Sequence, residues 1–368
     1  MAYSISSLRK GLVLDMPLRE VDEKVGSELH TDANAISDPN GNEANATTGW
    51  DNRHLTTGAN VFESQSSVKS TGSYAFHLNS NDTPTGAANI NKDIGTDMSL
   101  VTGKTYRISF KWRHVGTGGN WAFRYGSNTS LSGYQTVITP SDTTFTKYKW
   151  DFVYDSNHRY MGFQENSFYN SGGVYVDDLS VKELKTADTT PNSNHGVVHG
   201  ATQNSEDMSF GTTTYIELPS SVDVSGIKAV SLRFYLDNLN SANNLFVWGN
   251  GDSTDFLKVN VRTDGRIIAA AGNATGYSLQ LPLSTITTGT WYHIVVNKVE
   301  GGVSEVYLDG VESSETATNY NSFTDSKSIG HSSFSTDGNI KNVKVYNRAL
   351  TADEVLLDYK GAGQGGLL

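Results

Sequence analysis

At 368 residues the chain is too long for one ordinary β-sandwich and suits two domains, each large enough to bury a core. Charged residues make up only 18%, glycines number 36 and turn signals recur at short intervals, as in sandwiches built from many short strands. A net charge of −11 argues against a phosphate-backbone partner, and the absence of cysteine excludes a disulfide framework and a thiolate metal site.

In chain order, residues 1–10 lack the apolar stretch of a secretory signal and are expected to form an N-terminal arm. No apolar run approaches the ~18–20 residues needed to span a bilayer. GLVLDMPLRE (11–20) then alternates, with Leu12, Leu14, Met16 and Leu18 on one face of a half-buried strand. Further alternating runs follow. TYRISFKWRHV puts Tyr106, Ile108, Phe110 and Trp112 together, WAFRY (121–125) alternates likewise, and FTKYKWDFVY groups Tyr148, Trp150, Phe152 and Tyr154. AVSLRFYLDNL sets Val230, Leu232, Phe234 and Leu236 on one face, and Asp264-Gly265 and Asp309-Gly310 supply hairpin turns. After the strand Ile340–Tyr346, Thr351 and Glu354 form a capping box. Val355, Leu356 and Tyr359 are expected on one side of a two-turn helix ended by Gly361.

These phrases resemble a known family. GLVLDMPLRE, WYHIVV…VYLDG and the closing IKNVKVYNRAL–TADEV are similar to the concanavalin A-like (LamG-like) jelly-roll lectins, with Lys341 where that family usually has an acid. The loop that normally follows the opening strand is found at 188–201, DTTPNSNHGVVHGA, some way downstream. The block between has its own strand series. Its "EL…GW", GKTYRISFKW and VYVDDLSV resemble family 4 and 9 carbohydrate-binding modules. The expectation is therefore an all-β chain of two antiparallel jelly-roll sandwiches. Residues 11–24 plus 186–361 form the LamG-like domain, 26–184 form a module inserted at its first loop, and 362–368 form a Gly-rich tail.

Sugar binding needs aromatic platforms and hydroxyl-bonding neighbours. Trp50, Trp121, Tyr125 and Tyr134 are the candidates, with Arg124 and Gln135 as polar companions and Phe168 and Tyr169 in a further loop. An aromatic residue alternating in a sandwich strand is more often core than platform; Trp112, Trp150 and Trp291 are assigned to core. The module resemblance implies a structural Ca²⁺, for which Glu28, Asp32, Asp177 and Asp178 are the candidates; the other reading has Asp177 satisfying buried backbone donors and Asp178 facing water. No H-E-x-x-H helix, G-x-S-x-G elbow or P-loop occurs, and His195 and His199 are spaced i, i+4 in a loop and strand, where they share no helical face. The expected function is non-catalytic recognition of a cell-surface or extracellular polysaccharide. An extracellular style without an export signal fits a phage virion component displayed in many copies beside other virion proteins, or a fragment of a secreted protein. The alternatives are a purely architectural virion protein and a glycoside hydrolase or polysaccharide lyase on the same sandwich.

Overall fold

The computed structural model of the chain describes residues 8–19, 24–29, 51–53, 61–65, 67–70, 75–80, 89–116, 121–128, 135–138, 141–165, 172–222, 226–249, 256–271, 277–281, 285–298, 305–313, 317–319, 327–333 and 336–362. The chain is built almost wholly of antiparallel strands and divides into two compact units, residues 1–24 with 185–368, and residues 25–184.

In the first unit the long strand Gly338–Tyr346 organises one sheet. One edge pairs along its length with Ala229–Leu236. The other edge is shared: Met208–Phe210 takes Gly338 to Ile340, and the opening strand Leu12–Met16 takes Val343 to Tyr346. Leu14, Met16 and Leu18 are buried, as the period-two pattern requires. The loop after residue 187 is stitched onto that opening strand. Asp188 accepts from the Asp15 amide at 3.0 Å and, through its other oxygen, from the Asn194 amide at 2.8 Å, while Thr189 donates its amide to the Asp15 carbonyl. The second sheet runs Gly196–His199, Tyr215–Glu217, Lys327–Gly330, Asn243–Gly249, Phe256–Val261 and Ile267–Ala271. Its inward row, Val198, Ile216, Ile329, Phe246, Val259 and Ala269, is fully buried. Asp309 and Gly310, both at positive φ (51° and 81°), close the Glu305–Leu308/Val311–Ser313 hairpin in two residues.

The helix Ala352–Ala362 has three turns, not two, and Gly361 lies inside its last turn. The capping box forms: Thr351 N donates to Glu354 Oε2 at 3.0 Å, and Glu354 N donates to Thr351 Oγ1 at 3.3 Å. Its buried side is Glu354, Val355 and Asp358, whereas Leu356 is exposed. Two carboxylates replace apolar residues there because each has a cation from elsewhere, Arg348 for Glu354 and Lys344 for Asp358. The expected N-terminal arm is also shorter than ten residues. Leu8 is buried, and the Lys10 carbonyl accepts from Arg348 Nε at 2.7 Å. Residues 1–7 and 363–368 lie outside the described residues.

The second unit places Thr105–Gly116 between Thr146–Val153 and Gly172–Thr186 in one sheet. Asp51–Arg53, Asn89–Asp93, Tyr160–Glu165, Trp121–Gly126 and Gln135–Ile138 form the other. Alternation sends Tyr106, Ile108, Phe110 and Trp112 into the core, where Phe110 meets Phe123 at 5.0 Å and, edge to face, Phe163 at 5.3 Å.

Candidate functional site

Thr146–Val153 has a single strand neighbour among the described residues, so its inward side chains line the open side of the second unit's sandwich. Strict alternation puts Tyr148, Trp150 and Phe152 there, with Lys147, Lys149 and Asp151 on the far face. Trp150 is half-buried rather than core. Tyr125 reaches it from the opposing sheet, its ring stacked 4.8 Å away at 17°. Trp150 also stacks on Phe152 at 4.6 Å and 15°. The chain then turns through Ser156–His158, and His158 comes back to stack on Tyr125 at 4.2 Å and 22°. The result is a cluster of stacked rings in which Tyr125, Trp150 and His158 remain half-buried, with Trp150 and His158 tilted by 38°.

Asp155 fixes this turn. Its Oδ1 accepts from the Asn157 amide at 2.8 Å and the His158 amide at 3.2 Å, and lies 2.6 Å from His158 Nδ1. The other ring nitrogen makes no hydrogen bond among the described residues. Burial works to raise the Asp155 carboxyl, but the hydrogen bonds from His158 and Asn157 outweigh it and hold the group below its ordinary value. Burial pushes the Tyr125 phenol up, and the Asp155 charge adds to the shift. Burial likewise carries Tyr148 to about 12, helped by the hydrogen bond it gives Asp142. Both phenols are therefore neutral donors at physiological pH. Across the rim Arg159 grips Asp93 Oδ2 through Nε and Nη2 at 2.9 and 2.8 Å. Aromatic faces bordered by fixed donors and acceptors suit a ligand with C–H faces and a hydroxyl edge.

Of the expected platform residues, only Tyr125 takes part in this cluster. Trp121 does not: it is 0% exposed and belongs to the core cluster with Phe123 and Phe163. Arg124 is not a companion of Tyr125 either. Strand alternation turns it to the opposite face, where its Nη1 donates to Gln164 Oε1 at 3.0 Å. Gln135 pairs with Tyr125 along the backbone, but its side chain, with Trp50, Tyr134, Phe168 and Tyr169, lies outside the described residues. Trp291, expected in the core, is half-buried with Lys341 Nζ 4.1 Å over its ring. Trp112 is core. His158 and Asp155 carried no local signal, since neither belongs to a periodic run; only the turn brings them back to Tyr125.

The proposed Ca²⁺ ligands fare differently. Asp177 is 1% exposed, and its two oxygens accept the amides of Ser70 at 2.7 Å and Asp178 at 2.8 Å. Asp178 pairs with Lys111 Nζ at 2.7 Å. Carboxylates already held by protein donors and an ammonium do not fit a cation cage. Among the described residues no three His, Asp or Glu side chains gather to hold a metal. The Glu28 side chain and Asp32 lie outside the described residues.

A second cluster, in the first unit, looks catalytic by residue type. Ser231 Oγ donates to Asp358 Oδ2 at 2.6 Å, His293 Nε2 is 3.0 Å from Ser231 Oγ, and Lys344 Nζ donates to Asp358 Oδ1 at 2.5 Å. All four are buried, Asp358 on the terminal helix and the other three on strands. Because the serine proton goes to the aspartate, the histidine donates to the hydroxyl and does not act as its base. The cluster docks the helix.

Fold and site together define a β-sandwich chain with a half-exposed aromatic cluster and no assembled metal or nucleophile site among its described residues. Residues 210–356 match the family described as the concanavalin A-like lectin/glucanases superfamily. No curated protein sequence matches the chain. Among solved structures it is similar to a Trypanosoma rangeli sialidase in complex with sialic acid, at 16% identity and a TM-score of 0.39, over 50% of this chain and 32% of that one. It is similar to the Ruminococcus gnavus IT-sialidase CBM40 bound to α2,3 sialyllactose, at 15% identity and a TM-score of 0.32, over 41% and 94%. The receptor binding domain of a botulinum neurotoxin C/D mosaic serotype matches at 13% identity and a TM-score of 0.37, over 48% of each chain. The chain spans about a third, 31–32%, of the sialidases it matches.

Proposed function

We propose that the protein is a non-catalytic glycan-binding protein, and that Tyr125, Trp150 and His158 form the platform on which a sugar ring rests. The observation that carries this reading is the half-exposed Tyr125–Trp150 stack, continued by His158 and held by Asp155. A pyranose would set its C–H face on the rings and its hydroxyls against His158, Asp155 and the neutral Tyr125 phenol. The family match over residues 210–356 supports a carbohydrate setting for the other unit. A ledge of this kind is shallow and binds weakly alone. Display in many copies, as on a virion surface, converts later contacts into intramolecular ones and supplies the missing affinity.

A glycan array probed with the multimerised full chain tests this. Binding that is lost in Trp150→Ala and Tyr125→Ala but kept in Arg124→Ala supports the ledge. Equal binding by all three variants would place recognition elsewhere, and no binding to any glycan would favour a purely architectural role. Release of reducing ends from polysaccharide by the full chain would make the protein an enzyme.

A further inference from the structure

The outer face of the first unit's sheet around Gly338–Tyr346 sets two cations side by side. Alternation turns Arg233, Tyr235, Trp291, Asn339 and Lys341 away from the core, and the pairing register puts Arg233 directly opposite Lys341 and Tyr235 opposite Trp291. Like charges at such a cross-strand position repel. Neither cation has a carboxylate partner among the described residues. Lys341 Nζ lies 4.1 Å over the Trp291 ring, and Arg233 gives Nη2 to the Tyr359 carbonyl at 3.0 Å. The Arg233 Nε is buried without a hydrogen-bond partner, and its Nη1 makes no hydrogen bond among the described residues. Two carboxylates that reach this face are engaged elsewhere: Asp358 holds Lys344, and Asp207 accepts from Asn339 and Asn204. Beside the cations stand Trp291 and Tyr235, both half-buried, their rings 5.8 Å apart and tilted by 45°.

We propose that this face binds an acidic polysaccharide, with a uronate carboxylate bridging Lys341 Nζ and Arg233 Nη1 and the C–H edge of the same pyranose lying along Tyr235 and Trp291. The carboxylate supplies the negative charge that the pair lacks. Selectivity against neutral sugars follows, because a hydroxyl leaves the repulsion between the two cations in place. All of these residues belong to the other unit from the ledge, so either site can fail without the other.

The test uses the full chain labelled with ¹⁵N-tryptophan, the Trp291 indole being assigned by its loss in Trp291→Phe. Trigalacturonate, maltotriose, acetate and triglutamate are titrated separately at neutral pH and constant ionic strength. The Trp291 signal should move saturably with trigalacturonate and stay fixed with maltotriose and acetate. Lys341→Met should weaken the response about threefold to tenfold. Lys341→Glu gives Arg233 a partner within the sheet and should abolish it, with the buried Trp112, Trp121 and Trp248 signals unchanged as the control for folding. The proposal is overturned if trigalacturonate leaves Trp291 unmoved, if maltotriose moves it equally, or if Lys341→Glu keeps the response. An equal response to acetate would make the pair a simple anion site, and tighter binding of triglutamate a protein-docking one; either overturns the sugar assignment. Movement of Trp291 with trigalacturonate while Trp150 stays fixed with every sugar would instead remove the ledge and leave this site standing.

Discussion

The two units close on strands that share a backbone feature and differ in what holds it. In the second unit, Asp178 and Leu179 together oppose a single residue, Phe110; in the first, Asn342 and Val343 together oppose Leu232. Each bulge begins with a residue at a φ of 53°, a left-handed conformation that Asp and Asn tolerate better than other side chains. The residue just before it is where they part. Asp177 turns inward and accepts two backbone amides, whereas Lys341 reaches across its sheet to the face of Trp291. Asn342 gives its own amide to the Pro17 carbonyl at 3.1 Å. The bulge therefore does not depend on the acid before it. In the second unit that acid satisfies donors, and in the first a cation does unrelated packing work.

The largest effect is expected at the first unit's buried ion pair between Asp358 and Lys344. Asp358→Asn would leave Lys344 buried without its counter-ion and should cost about 3–5 kcal/mol, read by chemical denaturation of the full chain. Burial raises the Asp358 carboxyl, but the hydrogen bond from His293 and the charge of Lys344 dominate and hold it far below the ordinary range. A depressed folded-state value stabilises above the unfolded carboxylate range and is lost as pH falls below it. Wild type should therefore lose stability below about pH 4 more steeply than Asp358→Asn. An unchanged acid limb in the variant would show that the cluster does not titrate as a folded-state device.

Next in size, Asp177→Ala orphans two amides and should cost about 1–3 kcal/mol for each that finds no water. Its loss should be the same in millimolar Ca²⁺ and in chelator. A melting shift with Ca²⁺ that vanishes in this variant would restore the metal reading. Thr351→Ala removes the cap hydroxyl and should cost about 1 kcal/mol, measured by thermal melting. The smallest change belongs to Lys341→Met, which loses a cation–π contact worth about 0.5–1 kcal/mol at a half-exposed ring. If it cost as much as Asp177→Ala, the two bulges would be held by equivalent devices after all.

What was legible in the sequence was whatever is decided within a few residues. Alternation at Tyr106 to Trp112, the capping box at Thr351 and Glu354 and the Asp309-Gly310 turn all depend on local spacing, and all are present. Trp121 and Trp150 show why the platform was not legible. Both alternate in aromatic strands, yet Trp121 packs in the core, whereas Tyr125, on the same face of the same strand, and Trp150 are half-buried. What a side chain meets across a sandwich is a long-range property with no local signature. The helix failed for a related reason: Leu356 fits the apolar pattern better than Asp358, but Lys344 on the preceding strand and His293 on a distant one draw the carboxylate inward.

The ledge can be watched directly through its tryptophan. The chain has six tryptophans, so ¹⁵N-tryptophan labelling gives six indole signals, with Trp150 assigned by its loss in Trp150→Phe. Trp112, Trp121 and Trp248 are buried and serve as internal controls. Titration with an oligosaccharide selected on the array should move the Trp150 signal saturably while those three stay fixed, and Tyr125→Ala should weaken the response. Saturable sugar binding with the Trp150 indole unmoved would contradict the ledge as the recognition site.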